Sequence, residues 1–347
     1  MSKMLDEIRE QPEALERTLR MGFAPAARLA REIAKNRPKL IVLAARGTSD
    51  NAAQLGRYLL EITTGIPVSL AAPSLYTLYR AKIDLKNALV VAISQSGEST
   101  DTNLVLERGR EQGAVTVGIT NEPRSTLAKL AQHVFFVRAK KERSVAATKT
   151  YTGQVMLLYL LAHALGAKIK LDDLRRVPEW VEIALTIEDE IKASAERYRF
   201  MERAIVVGRG LNYANAFEFA LKMMETCYVV AERFSAADFL HGPIAMVEGS
   251  FPMFLFTPAG VTWDGMRDML ARLGELKAET LIITDRANRE AIRLNPRAIV
   301  IPARLGQELF TPIPYIVPAQ IFAASLAEWK GIDPDRPRTL HKVTRTL

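Results

Sequence analysis

Ser94, Gln95, Ser96, Gly97, Ser99 and Thr100 follow directly on the apolar run "VVAI" and precede a helical pattern. A turn of this composition at the end of a strand offers hydroxyl and amide donors, a glycine that lets the backbone approach closely, and the free amides of the helix that follows. Together these are suited to the oxygens of a phosphate, with no lysine required. A helix N-cap uses one such hydroxyl, not four. The turn "RGTSDN" contributes Gly47, Thr48 and Ser49 to the same chemistry. A Walker-type Gly-x-x-x-x-Gly-Lys-Ser/Thr motif is absent, which disfavours nucleotide hydrolysis and points to a small phosphate ester.

Ionisable groups recur further on. Glu218, Lys222 and Glu225 stand at i, i+4 and i+7 in "NAFEFALKMMETCYVV", so a helix would turn all three to one side. By spacing alone they fit best a surface salt-bridge stripe, worth tenths of a kcal/mol. His241 sits in "FLHGP" and is by itself no more telling than His133, His163 or His341, while Lys342 reads as a charge near the end of the chain.

These groups must be positioned by a sizeable framework. With 347 residues, 48% of them hydrophobic and 25% charged, the chain has the length and composition for two globular domains. Its apolar runs are interrupted before a membrane span is complete, and its charged start is unlike a signal sequence, so a cytoplasmic protein is expected, with no membrane partner. The single cysteine, Cys227, leaves no intramolecular disulfide and no cysteine-based metal cluster. A net charge of +8 suits an anionic ligand, but the basic residues are scattered without interleaved aromatics, and nucleic acid is not expected.

Short apolar runs ending in Gly, Ser or Asp alternate with longer helical patterns, which predicts parallel βα units in a doubly wound α/β sheet. The pattern is written twice. "LIVLAARGTSDNAAQLGRYLLE" matches "AIVVGRGLNYANAFEFALKMME", Asp101 matches Asp264, "TVGIT" matches "LIITD" and "HVFFV" matches "AIVIP", at spacings of 163 to 165 residues. A fixed internal period indicates duplicated domains. The expected order is a helical segment over 1–30, interrupted near Pro12, a first domain over 31–167, one or two connecting helices over 168–199, a second domain over 200–335 and a tail over 336–347.

"RGTSDNA", "SQSGESTD", "SVAATKT", "FALKMMET", "AERFSAADFLHGP" and "RPRTLHKVTRTL" together resemble the tandem sugar isomerase (SIS) family over nearly the whole chain. Within it the chain is similar to the isomerase domain of glutamine:fructose-6-phosphate amidotransferases, and more so to the SIS-type glucosamine-6-phosphate deaminases. The resemblance implies two SIS domains, a sugar-phosphate substrate, and neither metal nor organic cofactor. It also implies a homodimer whose active site is shared and is completed by the tail. Glu225 is then the C1–C2 proton-transfer base, supported by Glu218 and Lys222. His241 becomes the ring-opening acid/base, a task that suits an imidazole titrating near neutrality. Lys342 activates the carbonyl or stabilises charge, and Val145 and Ala147 contact the sugar.

The chain departs from the amidotransferase pattern at Ala147, Asp238 and Leu240, and it starts Met1, Ser2, Lys3 rather than with a cysteine nucleophile. The expected function is therefore conversion of glucosamine 6-phosphate and water to fructose 6-phosphate and ammonia. The alternatives are an isomerase-domain relative of the amidotransferases, a deglycase or isomerase for another phosphorylated amino sugar, or a non-catalytic sugar-phosphate sensor.

Overall fold

The computed structural model describes residues 2–340 and 342. Two helices come first, α1 (Lys3–Arg9) and α2 (Gln11–Ile33). The break falls at Glu10, ahead of the expected Pro12, which sits in the first turn of α2 where its missing amide hydrogen has no intrahelical partner to lose. The first repeat then runs β1 (Leu40–Ala44), α3 (Thr48–Thr64), β2 (Val68–Leu70), α4 (Ser74–Thr77), β3 (Ala88–Ile93), α5 (Thr100–Glu111), β4 (Val115–Thr120), α6 (Thr126–Leu130), β5 (His133–Phe136) and α7 (Lys149–Ala164). Three short helices follow, α8 (Leu171–Arg175), α9 (Val177–Leu185) and α10 (Glu188–Glu196), where one or two were expected. Pro178 opens α9 and prevents α8 from continuing through it.

The second repeat runs β6 (Arg203–Gly208), α11 (Tyr213–Cys227), β7 (Val230–Ser235), α12 (Ala236–Leu240), β8 (Pro252–Phe256), α13 (Trp263–Glu275), β9 (Glu279–Asp285), α14 (Arg289–Leu294), β10 (Ala298–Ile301) and α15 (Pro312–Trp329). The strands form two five-stranded parallel sheets, in the orders β2-β1-β3-β4-β5 and β10-β9-β8-β6-β7. Read from its other edge, the second order is the first with each strand replaced by its repeat partner. Both have the strand reversal that opens a crevice beside the first strand of a doubly wound sheet.

Each sheet is positioned by its own apolar core. Every residue of β3 is buried, and Val90 and Ala92 pack with Val42, Val105, Leu106 and Leu127. In the second sheet Ile205, Val207, Met253 and Leu255 pack with Phe239, Met266, Met269 and Leu273. Continuous apolar strands are what a parallel sheet covered on both faces requires. Helix α7 is buried at every position but His163, and α15 is buried from Pro312 to Ala327, as expected of helices that are apolar all round.

The chain divides into two compact units that do not follow chain order. One contains Met1–Pro12, Arg143–Ala146 and Arg176–Thr339; the other contains Glu13–Glu142, Ala147–Arg175 and Leu340–Leu347. We call them the second-repeat unit and the first-repeat unit.

Candidate functional site

In the first-repeat unit the serine turn leaves the carboxyl end of β3, where Ser94 still extends the ladder by donating its amide to Ile119 at 3.0 Å. Ser94 Oγ accepts from the Gly97 amide at 3.1 Å, and Ser96 Oγ accepts from the Glu98 amide at 3.3 Å. Each hydroxyl thus spends a lone pair on the turn and keeps its own hydrogen to donate to a ligand. Ser99 is the N-cap of α5 but makes no side-chain cap bond; its hydroxyl lies 2.9 Å from that of Thr102. Capping therefore does not account for the hydroxyls, and Thr100 is exposed at the first helical position.

Gly97 is required by the turn. Its φ is +67°, and a Cβ there would lie 2.2 Å from Ser125 Oγ. Its carbonyl is tied down by the Leu127 amide at 3.0 Å and Asn103 Nδ2 at 3.1 Å, and the Gln95 carbonyl accepts from the Asn121 amide at 3.1 Å. The turn is consequently rigid in backbone and polar in side chain. Gly47, after β1, has φ +55° and open space where a Cβ would be. It caps α3, which begins with Thr48 and Ser49; Ser49 is buried and accepts from Gln154 at 3.0 Å. Arg46 bridges the two turns through Asp101, with Nη2 and Nε 2.6 and 3.1 Å from Oδ2.

Lys342 also belongs to this unit. Its Nζ lies 3.0 Å from Oε2 of the buried Glu142, which accepts in addition from the Thr148 amide at 2.9 Å, the Thr150 amide at 3.1 Å and the Thr150 hydroxyl at 2.5 Å. Burial alone would raise the Glu142 carboxyl, but Lys342 and the Thr150 and Thr148 donors outweigh it and hold the group below its ordinary range. Sequence reasoning missed Glu142, because its partner is 200 residues away. Ala147, half-buried, precedes the Thr148 N-cap of α7. Val145, also half-buried, falls in the second-repeat unit, where Glu7 of α1 accepts from the Ser144 amide at 3.0 Å.

The second-repeat unit holds the carboxylate cluster. Glu218 and Lys222 on α11 are fully buried, and Glu225 keeps 24% of its side chain exposed. Lys222 Nζ lies 3.5 Å from Glu218 Oε1 and pairs more closely with Glu225 Oε2. A surface stripe is thereby excluded. Two carboxylates share one ammonium in a buried setting, and the one that reaches solvent is Glu225. His241 ends α12 and is exposed, followed by Gly242 and the 3₁₀ turn Pro243–Met246. Among the described residues its imidazole has no hydrogen-bond partner, and no bond joins it to the α11 cluster. Cys227 is buried, its thiol donating to the Ala323 carbonyl at 3.1 Å, and burial pushes it up to about 12. Among the described residues no three His, Cys, Asp or Glu side chains are grouped to hold a metal ion, and no helix is long and apolar enough to cross a membrane.

Comparison with known proteins agrees with this architecture. The isomerising glutamine–fructose-6-phosphate aminotransferase of Pyrococcus horikoshii is 35% identical over 346 residues, covering 98% of this chain and 57% of that protein. The chain thus spans little more than half the length of this curated relative. Among solved structures, the C-terminal domain of glucosamine-fructose-6-phosphate aminotransferase from Francisella tularensis superposes with a TM-score of 0.87 at 29% identity, covering 97% of this chain and 98% of that one. A glucosamine-6-phosphate deaminase from Thermotoga maritima, with a TM-score of 0.78 over 99% of this chain and 100% of that one, is only 21% identical and shares the fold alone. The SIS domain family matches residues 34–164 and again 199–327, the two repeats read from the sequence and found as two sheets of one topology. The chain belongs to the SIS domain family and carries that domain twice.

Proposed function

We propose that the chain is a sugar-phosphate isomerase acting on fructose 6-phosphate and glucosamine 6-phosphate, the chemistry of the isomerase half of an aminotransferase. The observation that carries this reading is the buried Glu218–Lys222–Glu225 cluster with one solvent-reaching carboxylate, in a chain that also has a rigid hydroxyl-lined turn. The serine turn takes the phosphate through Ser94, Ser96, Ser99 and Thr100 hydroxyls, with Gln95, Gly47, Thr48 and Ser49 beside it. Glu225 removes the C2 proton of the opened aldose form and returns it at C1, so its carboxylate is regenerated. Lys222 offsets the negative charge that Glu218 and Glu225 share. His241 serves ring opening, and Lys342 stabilises the negative charge that develops on oxygen between the two transfers.

The 35% identity to an isomerising aminotransferase, against 21% to a deaminase, favours the isomerase-half reading over deamination as the principal one. Deamination of glucosamine 6-phosphate, with nitrogen leaving as free ammonia, is the second reading; the departures from the amidotransferase pattern at Ala147, Asp238 and Leu240 favour it. The proposal includes a cytoplasmic homodimer in which His241 serves the partner's site. Its exposure supports this, as does that of Leu240 and Met246 on either side of the Gly-Pro turn.

Incubation with fructose 6-phosphate in heavy water, followed by NMR, tests the reading. Deuterium should enter at C1, and non-phosphorylated fructose should remain unlabelled. Absence of exchange with both fructose 6-phosphate and glucosamine 6-phosphate would refute it, and ammonia release from the amino sugar separates deamination from isomerisation.

A further inference from the structure

The turn after β8 repeats the serine turn at the 163-residue spacing of Asp101 and Asp264. Thr257, Pro258, Ala259, Gly260, Val261 and Thr262 stand where Ser94, Gln95, Ser96, Gly97, Glu98 and Ser99 stand. Gly97 and Gly260 both have positive φ, +67° and +149°, and Ser99 and Thr262 are both N-caps without a side-chain cap bond. The second turn, however, is occupied by the chain's own carboxylate. Glu308, from the 3₁₀ turn Glu308–Phe310, accepts at Oε2 from the Thr262 amide at 3.1 Å and at Oε1 from the Thr262 hydroxyl at 2.9 Å, and a bond from the Val261 backbone is added.

The fit is close. A Cβ on Gly260 would lie 2.5 Å from Glu308 Oε2, and one on Gly210, after β6, would lie 3.5 Å from Oε1. One anion therefore bears on the two turns that correspond to "SQSGES" and "RGTS" in the first repeat. Burial raises the Glu308 carboxyl more than these bonds lower it, so the group is kept there at an electrostatic cost. Counted back from the N-caps of the partner helices, Thr148 of α7 and Thr311 of α15, the first repeat has the uncharged Val145 at this position.

We propose that Glu308 is a built-in anion that fills the second repeat's copy of the phosphate cradle, a closed site whose exchangeable ligand would be a phosphate monoester or inorganic phosphate. The duplicated cradle is thereby silenced, and phosphate binding is confined to the first repeat. The last statement rests on the phosphate reading of the serine turn; the occupancy of the second turn does not.

Equilibrium dialysis with inorganic phosphate tests this. Glu308→Ala should bind about two phosphates per chain where the unaltered protein binds about one, because the vacated amides and hydroxyl regain an anion. Glu308→Gln leaves the space filled and should gain none. Adding Ser94→Ala and Ser96→Ala to Glu308→Ala should remove the first site and keep the second. If the serine turn binds no phosphate, the unaltered protein reads zero and Glu308→Ala still gains one, so the two readings fail separately. A folded Glu308→Ala that binds no more than the unaltered protein overturns the proposal, as does an equal gain in Glu308→Gln. Should Glu308→Ala be unfolded, tens of millimolar phosphate is expected to restore it, and failure to do so also overturns the proposal.

Discussion

Replacing Glu142 by glutamine should uncouple Lys342 from the first-repeat unit. Oε1 accepts the Thr148 and Thr150 amides, and a glutamine oxygen can keep both bonds. Oε2 accepts the Thr150 hydroxyl and Lys342, and an amide nitrogen there presents hydrogens to both. The hydroxyl can rotate and become the acceptor, so that bond is recoverable. The ammonium cannot, and losing a hydrogen bond between charged groups costs about 1.5–3 kcal/mol. Since 27% of the Lys342 side chain is exposed, water recovers part of this, and we expect about 2 kcal/mol. For a unit of this size that lowers the melting temperature by roughly 4–8 °C. A double-mutant cycle with Lys342→Met should return a coupling of about 1 kcal/mol or more, the range for groups in direct contact. The pH dependence carries a sign. The folded-state pKa of Glu142 is depressed below the ordinary carboxylate value of 4.5, so its contribution is complete above that pH and is lost as pH falls through the folded value. Glu142→Gln should therefore flatten the acid limb of stability. Additive single effects together with an unchanged acid limb would refute the ion pair as a tether.

Three further outcomes follow from the same geometry. Glu225→Gln keeps the shape of the carboxylate and removes its basicity, so proton exchange should fall by roughly 10² to 10⁴ while fructose 6-phosphate binding, read by calorimetry, stays near normal; equal losses in both would contradict a base. If His241 serves a partner's site, mixing inactive Glu225→Gln and His241→Asn proteins under subunit exchange should restore about a quarter of normal activity, and background activity after verified exchange would sink the shared site. Gly97→Ala places a methyl 2.2 Å from Ser125 Oγ at a φ of +67°, and should cost at least ~1 kcal/mol in stability and weaken phosphate binding; a variant with unchanged melting and affinity would show that the turn is not rigid.

The sequence by itself determined the duplicated α/β architecture, because strand and helix periodicity are local properties and a repeated period needs no tertiary information. The serine turn was legible for the same reason: its hydroxyls and Gly97 are neighbours in the chain. The helix spacing of Glu218, Lys222 and Glu225 was legible too, but not its meaning. Whether three charges on one helix face lie in solvent or in the interior is decided by what packs over them, and only the fold shows Glu218 and Lys222 fully buried. The pairing of Glu142 with Lys342 and the insertion of Glu308 into the second turn were invisible for a related reason. Each joins residues distant in sequence, 200 apart in one case and 46 in the other, and no periodicity records such a meeting. The tertiary structure also separated two repeats that read alike. They share strand order, glycines and caps, and differ in whether a carboxylate already fills the turn, since a buried anion is stable only where amide and hydroxyl donors converge on it.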